Sequence, residues 1–178
     1  MRRPTRVAVA VGVLALAASA AAGSPIRTVS HPGGGPTITI GGISLACPTP
    51  AGGFVWWTVT YPGAGPVGLN SSRGGVSWTA APEPHVFLRA DIFGALPLPV
   101  QLYIALHECA HFHLPAHLNT ELNADCWTIR TALANRWLSE GDLEFVRKQL
   151  ASGGNVAQWG HPGSLIHHEN IPKCLAAR

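Results

Sequence analysis

Two hydrophobic periodicities divide the chain. Up to about residue 90 the apolar residues fall in short strand-like runs, and Thr37-Ile38-Thr39-Ile40 alternates cleanly before Gly41-Gly42 ends the run, which predicts a strand. The segment Phe54-Val55-Trp56-Trp57-Thr58-Val59-Thr60-Tyr61 is rich in aromatic and β-branched residues and bounded by Gly-Gly and Pro-Gly, the strongest strand signal present. Trp56 and Trp57 fall on opposite faces of it, one for the core and one for the surface. Asn70 to Gly75 reads as a turn, and His85-Val86-Phe87-Leu88-Arg89 predicts a third strand.

Beyond Pro99 the period changes to that of a helix. Leu102, Ala105, Leu106, Cys109 and Ala110 supply the apolar positions of a first helix through His113, and Pro115 stops it by pushing Leu114 out of helical geometry. A second helix is predicted from Asn119 or Thr120, either of which can cap it, to about Leu138. A third runs from Ser139 to Leu150, with Asp142 and Glu144 near its positive end and Gly153-Gly154 after it. From Gly160 the tail reads as loop, carrying His161, His167 and His168. Strands followed by helices, with no repeat or heptad, predict one α+β domain.

The ends and the composition place that domain. Arg2, Arg3 and Arg6 precede an apolar run from Val7 to Ala18 and then small residues, the layout of a secretory signal peptide over 1–22, with cleavage expected near Ala20 or Ala22. The run is short for a membrane span, so no integral membrane segment is expected after cleavage. The product is expected to be secreted or periplasmic, with a flexible Gly/Pro/Ser/Thr lead-in at 23–36 and a folded domain at 37–178. Loss of the three leader arginines brings the 12 Lys+Arg into balance with the 9 Asp+Glu, which removes the basic surface a nucleic-acid partner would need. In an exported chain the four cysteines, Cys47, Cys109, Cys126 and Cys174, read as two disulfides with three possible pairings. No closely spaced pair supports a thiolate metal site.

The candidate chemistry sits on the first helix, in His107-Glu108-Cys109-Ala110-His111. Histidines four apart lie just over one turn apart, so both imidazoles point the same way as metal ligands, and Glu108 beside them suits a base that takes a proton from an activated water. Glu121 opens the string Glu-Leu-Asn-Ala-Asp on the second helix, one turn before Asp125. In an antiparallel helix pair Glu121 falls opposite His111 and Asp125 opposite His107, so Glu121 can complete a three-ligand site while Asp125 accepts the ring N–H of His107. His117, six residues after His111, is the rival third ligand.

A His-Glu-x-x-His helix followed by a Glu-x-x-x-Asp helix resembles the gluzincin zinc peptidases, among them the small soluble relatives of Ste-type prenyl-peptidases. The resemblance covers roughly Val86 to Cys174. It implies a small zincin-like fold, with a short N-terminal sheet packed on the active-site helix and a second helix antiparallel to it. It also implies Zn²⁺ on His107, His111 and Glu121, Glu108 as general base and Asp125 behind the metal. The strand Val86-Phe87-Leu88-Arg89 would offer its edge to an extended peptide or protein substrate. His161-Pro162 resembles the family's His-Pro element, which implies that His161 approaches the substrate oxyanion; where the family has an arginine shortly afterwards, this chain has His167-His168. His117 has the metzincin spacing, but Leu114 stands where metzincins need a glycine, and the only methionine is Met1. The expectation is an exported zinc metallopeptidase; the alternative is an exported zinc-binding domain without turnover.

Overall fold

The computed structural model describes residues 27–31, 34–60, 75–78, 84–152 and 164–177, so the expected signal segment and His161 lie outside the described residues. Gly41 and Gly42 both take positive φ, 56° and 86°, as a tight hairpin requires, and join β2 (Gly34–Ile40) to β3 (Ile43–Ala46). A side chain on Gly41 would run into Leu98, so the hairpin tip rests against the start of the long helix that carries the motif. The alternation read at residues 37–40 holds: Ile38 and Ile40 are buried, Thr37 and Thr39 half-buried. Within the stretch expected to be a lead-in, Arg27–His31 forms β1, paired antiparallel with β2. A backbone ladder of this kind leaves little trace in hydrophobic pattern.

A second sheet has the order β4-β6-β5, from β4 (Trp56–Thr60), β5 (Gly75–Trp78) and β6 (His85–Arg89). β4 runs parallel and β5 antiparallel to the central β6. This corrects one expectation. The strand thought to present a free edge to a peptide already has a neighbour on each side, because β5, too short to show alternation, pairs with it. Trp57 is buried and Trp56 exposed, as two successive strand positions should be.

The helical half begins with the single turn α1 (Ala90–Phe93), then α2 (Leu98–His113), α3 (Glu121–Ala134), α4 (Glu140–Ser152) and α5 (Ser164–Ala176). From Val100 to Ala110 only Ile104 of α2 escapes full burial, so α2 is the central helix of the domain. It stops at Leu114, whose ψ of 135° is the extended geometry that Pro115 imposes. Thr120 caps α3, its hydroxyl accepting from the Asn123 amide. α3 ends four residues earlier than its sequence predicts. Arg136 adopts φ 58°, while Trp137 N–H donates to Ala132 O and Arg136 N–H to Leu133 O, a Schellman closure without the usual glycine. Ser139 caps α4 in a reciprocal pair: Asp142 N–H donates to Ser139 Oγ, and Ser139 N–H to Asp142 Oδ2.

The tail expected to be loop is largely helix α5. Its inward side carries His167, Asn170, Ile171 and Cys174, all buried, and a stripe that is half polar has no hydrophobic period to read. The four cysteines pair in sequence order, Cys47 with Cys109 and Cys126 with Cys174, which selects one of the three pairings. The first bond fastens the end of β3 to α2, and the second fastens α3 to α5. Closing loops of 62 and 48 residues stabilises each by about 4 kcal/mol on the chain-entropy account. Among the described residues no helix is long and apolar enough to cross a membrane.

Two substitutions test these helix ends by thermal or denaturant unfolding. Ser139→Ala should cost about 1 kcal/mol by removing the α4 cap. Arg136→Gly should stabilise by up to about 1 kcal/mol, because glycine carries no Cβ penalty at positive φ.

Candidate metal centre

On α2 the side chains of His107 and His111 leave from one face, while Cys109, two residues from each and about 200° round the helix, leaves from the other. The disulfide to Cys47 therefore holds the back of the motif helix to the sheet, and the histidine face is left to α3 and α5. On that face the donor atoms converge. His107 Nε2 lies 2.9 Å from Glu121 Oε2, His111 Nε2 lies 3.2 Å from His107 Nε2, and His111 Nε2 lies 3.7 Å from Glu121 Oε2. An ion with ligands at about 2.0–2.1 Å in tetrahedral geometry separates them by about 3.3 Å. The three distances straddle that value, so the triangle fits one metal ion.

Each imidazole is aimed by a partner on its other nitrogen. His107 Nδ1 lies 3.0 Å from Asp125 Oδ1. His111 Nδ1 donates to Asn119 Oδ1 at 2.7 Å, and the Asn119 amide returns a bond to the His111 carbonyl at 3.0 Å. Both partners hold Nδ1 and turn Nε2 to the common centre, the support that metal-binding histidines need. Asn119 was legible only as a possible helix cap; Thr120 takes that role and frees Asn119 for His111.

Asp125 is fully buried and gathers more than His107. Tyr103 Oη donates to Oδ1 at 2.6 Å, His167 Nδ1 lies 2.9 and 2.8 Å from the two oxygens, and Asn170 Nδ2 donates to Oδ2 at 3.1 Å. Tyr103, one turn before His107, and Asn170 were not singled out from sequence. The signal available for Tyr103 was its place four residues from His107 on the same helix face. His167 Nε2 lies 3.9 Å from Glu121 Oε2, and His107, Glu121 and His167 present donor atoms all within 4.8 Å of one another.

Glu108 is 1% exposed, and its charge helps to raise the pKa of both His107 and His111. Glu121 is about half exposed, 47% for its side chain, so the centre opens to solvent on the Glu121 side. His117 sits exposed on a 3-10 turn, Ala116–Leu118. His113 stacks on Trp127 with ring centroids 4.7 Å apart, and burial lowers its pKa. It also lies within an ion's reach of Cys47 and Cys109, but those sulfurs are bonded to each other and are no longer thiolates.

Hydrogen bonds tie the cluster together. Burial, the largest single influence on His107, disfavours its charged form, but the hydrogen bonds to Asp125 and Glu121 outweigh it and push the pKa up to about 10. Burial likewise pushes Asp125 upward, and hydrogen bonds from His107 and His167 overcome it, holding the carboxyl well below the usual range. The signs follow by linkage. The contribution of His107 is complete below its unfolded value near 6.5 and is lost as pH rises through about 10. That of Asp125 is complete above its unfolded value near 3.8 and is lost as pH falls further. Metal-free protein should therefore have its highest melting temperature between about pH 4 and 6.5 and lose stability on both sides. Asp125→Asn should flatten both shoulders; an unchanged profile in that variant would show that the carboxylate does not hold the cluster.

The chain matches no family model, no curated protein and no solved structure, so what the centre can do follows from its own atoms.

Proposed function

We propose that this chain is an exported zinc-dependent peptidase whose metal is held by His107, His111 and Glu121. The observation that supports it is the triangle of Nε2, Nε2 and Oε2 atoms at 2.9, 3.2 and 3.7 Å, with each imidazole braced from behind. Two imidazoles and a carboxylate are a donor set that suits zinc. Bound there, zinc would supply Lewis acidity, acidifying water and polarising a carbonyl. Glu108 takes the proton of the attacking water and returns it to the leaving amine. Its burial beside the two histidines keeps that carboxylate out of competing bulk water. Asp125 and Asn119 are positioning residues: they hold His107 and His111 from behind. The two disulfides favour an oxidising compartment and so support export.

A second reading, a zinc-binding domain without turnover, is favoured by one observation. His167 adds a fourth donor, a third nitrogen, near the centre, and non-catalytic zinc sites are closed by four protein ligands.

Glu108→Gln should keep one equivalent of zinc and lower cleavage of an unstructured protein substrate by about 10²–10⁴-fold. His111→Ala and Glu121→Ala should lose both metal and cleavage, and His117→Ala should keep both. Zinc retained in Glu121→Ala and lost in His117→Ala, by metal analysis of purified protein, would overturn the ligand set. Stoichiometric zinc without cleavage in the wild type would select the second reading.

A further inference from the structure

His167 is 6% exposed on α5, at the inner end of the centre, and its two nitrogens meet opposite surroundings. Nδ1 lies against both oxygens of Asp125, at 2.9 and 2.8 Å, so the ring proton belongs on Nδ1 in the neutral imidazole. Nε2 then carries the lone pair, and it faces Glu121 Oε2 at 3.9 Å. The ring stands edge to face with that of His107, centroids 5.2 Å apart and planes at 86°. His107 is arranged in the same way, with Nδ1 on Asp125 and Nε2 on Glu121. One carboxylate thus turns the Nε2 atoms of two imidazoles toward one centre.

We infer that His167 is a fourth protein ligand of the metal, closing the shell of His107, His111 and Glu121. This rests on the reading of that triangle as a metal site. The 3.9 Å separation is wider than the about 3.3 Å edge of a regular tetrahedron, and it corresponds to a ligand angle opened to roughly 135–155° at ligand distances of about 2.0–2.1 Å. α5 is fixed to α3 by Cys126–Cys174, seven residues beyond His167, and Asn170 Nδ2 also donates to Leu122 O, so the ring is brought up by a braced helix. With four protein donors engaged, water reaches the metal only when His167 steps aside.

The test uses full-length mature protein loaded with Co²⁺ in place of zinc and compares wild type with His167→Asn. An asparagine amide can occupy the place of Nδ1 and keep the bond to Asp125, while Nε2 is deleted. Wild-type protein should bind one equivalent of Co²⁺ with a visible spectrum that azide does not change. His167→Asn should still bind one equivalent, at least tenfold more weakly, with a spectrum that azide shifts as it enters the freed position. A wild-type spectrum that responds to azide as the variant does, with affinities within threefold, would place His167 outside the shell and overturn the inference while leaving the triangle intact. Failure of wild type to bind Co²⁺ would overturn the metal site itself and this inference with it. Far-ultraviolet circular dichroism of the variant, matching wild type, separates loss of a ligand from loss of fold.

Discussion

A buried, ionised carboxylate is among the most costly groups a fold can contain, and Asp125, with no exposed surface, is tolerable only because donors surround it. Those donors come from different elements: Tyr103 and His107 from α2, His167 and Asn170 from α5, with Asp125 itself on α3. A slip of one residue along any of these helices turns its side chains by about 100° and strips a donor away. The carboxylate thereby sets the register of three helices at once, and the same register brings His107, His111 and Glu121 together. Stability and site geometry depend here on one group.

The opposite side of α2 is secured by other means. Cys109 lies between Glu108 and Ala110, faces away from the histidines and is tied to Cys47 at the end of β3, while the Gly41-Gly42 hairpin abuts Leu98 at the start of the helix. Ile38, Ile40, Leu45, Val86 and Leu88 of the strands belong to the same buried cluster as Val100, Leu102, Ala105 and Leu106 of α2. The motif helix is held from behind by apolar packing and a covalent bond, and from in front by polar contacts. That division lets the front be built almost wholly of ionisable groups without loosening the domain.

The centre is itself asymmetric. His107 is braced by a buried carboxylate, His111 by the neutral amide of exposed Asn119, and Glu121 stands half in solvent. The inner imidazole is the more firmly anchored, and the Glu121 side is the one that faces solvent. The strand once expected to guide a peptide is the middle of its sheet, so any backbone recognition of that kind would need the outer strands β4 or β5.

Glu121, expected opposite His111, lies nearer His107, at 2.9 against 3.7 Å, but the α+β class, the ends of α2, the start of α3 and the opposition of Asp125 to His107 were readable from sequence. Each is governed by a local rule: proline geometry at Leu114, a hydroxyl cap at Thr120, and 3.6-residue spacing on two antiparallel helices. Three things were decided only by tertiary structure. The end of α3 rests on a left-handed arginine, where sequence offers no glycine to mark it. The pairings of β1 and β5 are backbone ladders that leave little hydrophobic signature. Above all, α5 and its His167 escape pattern analysis because the helix packs polar groups inward, onto a carboxylate 42 residues away in the chain. Sequence alone specifies what a helix face can offer; whether a distant polar residue completes it depends on burial, which only the packed chain determines.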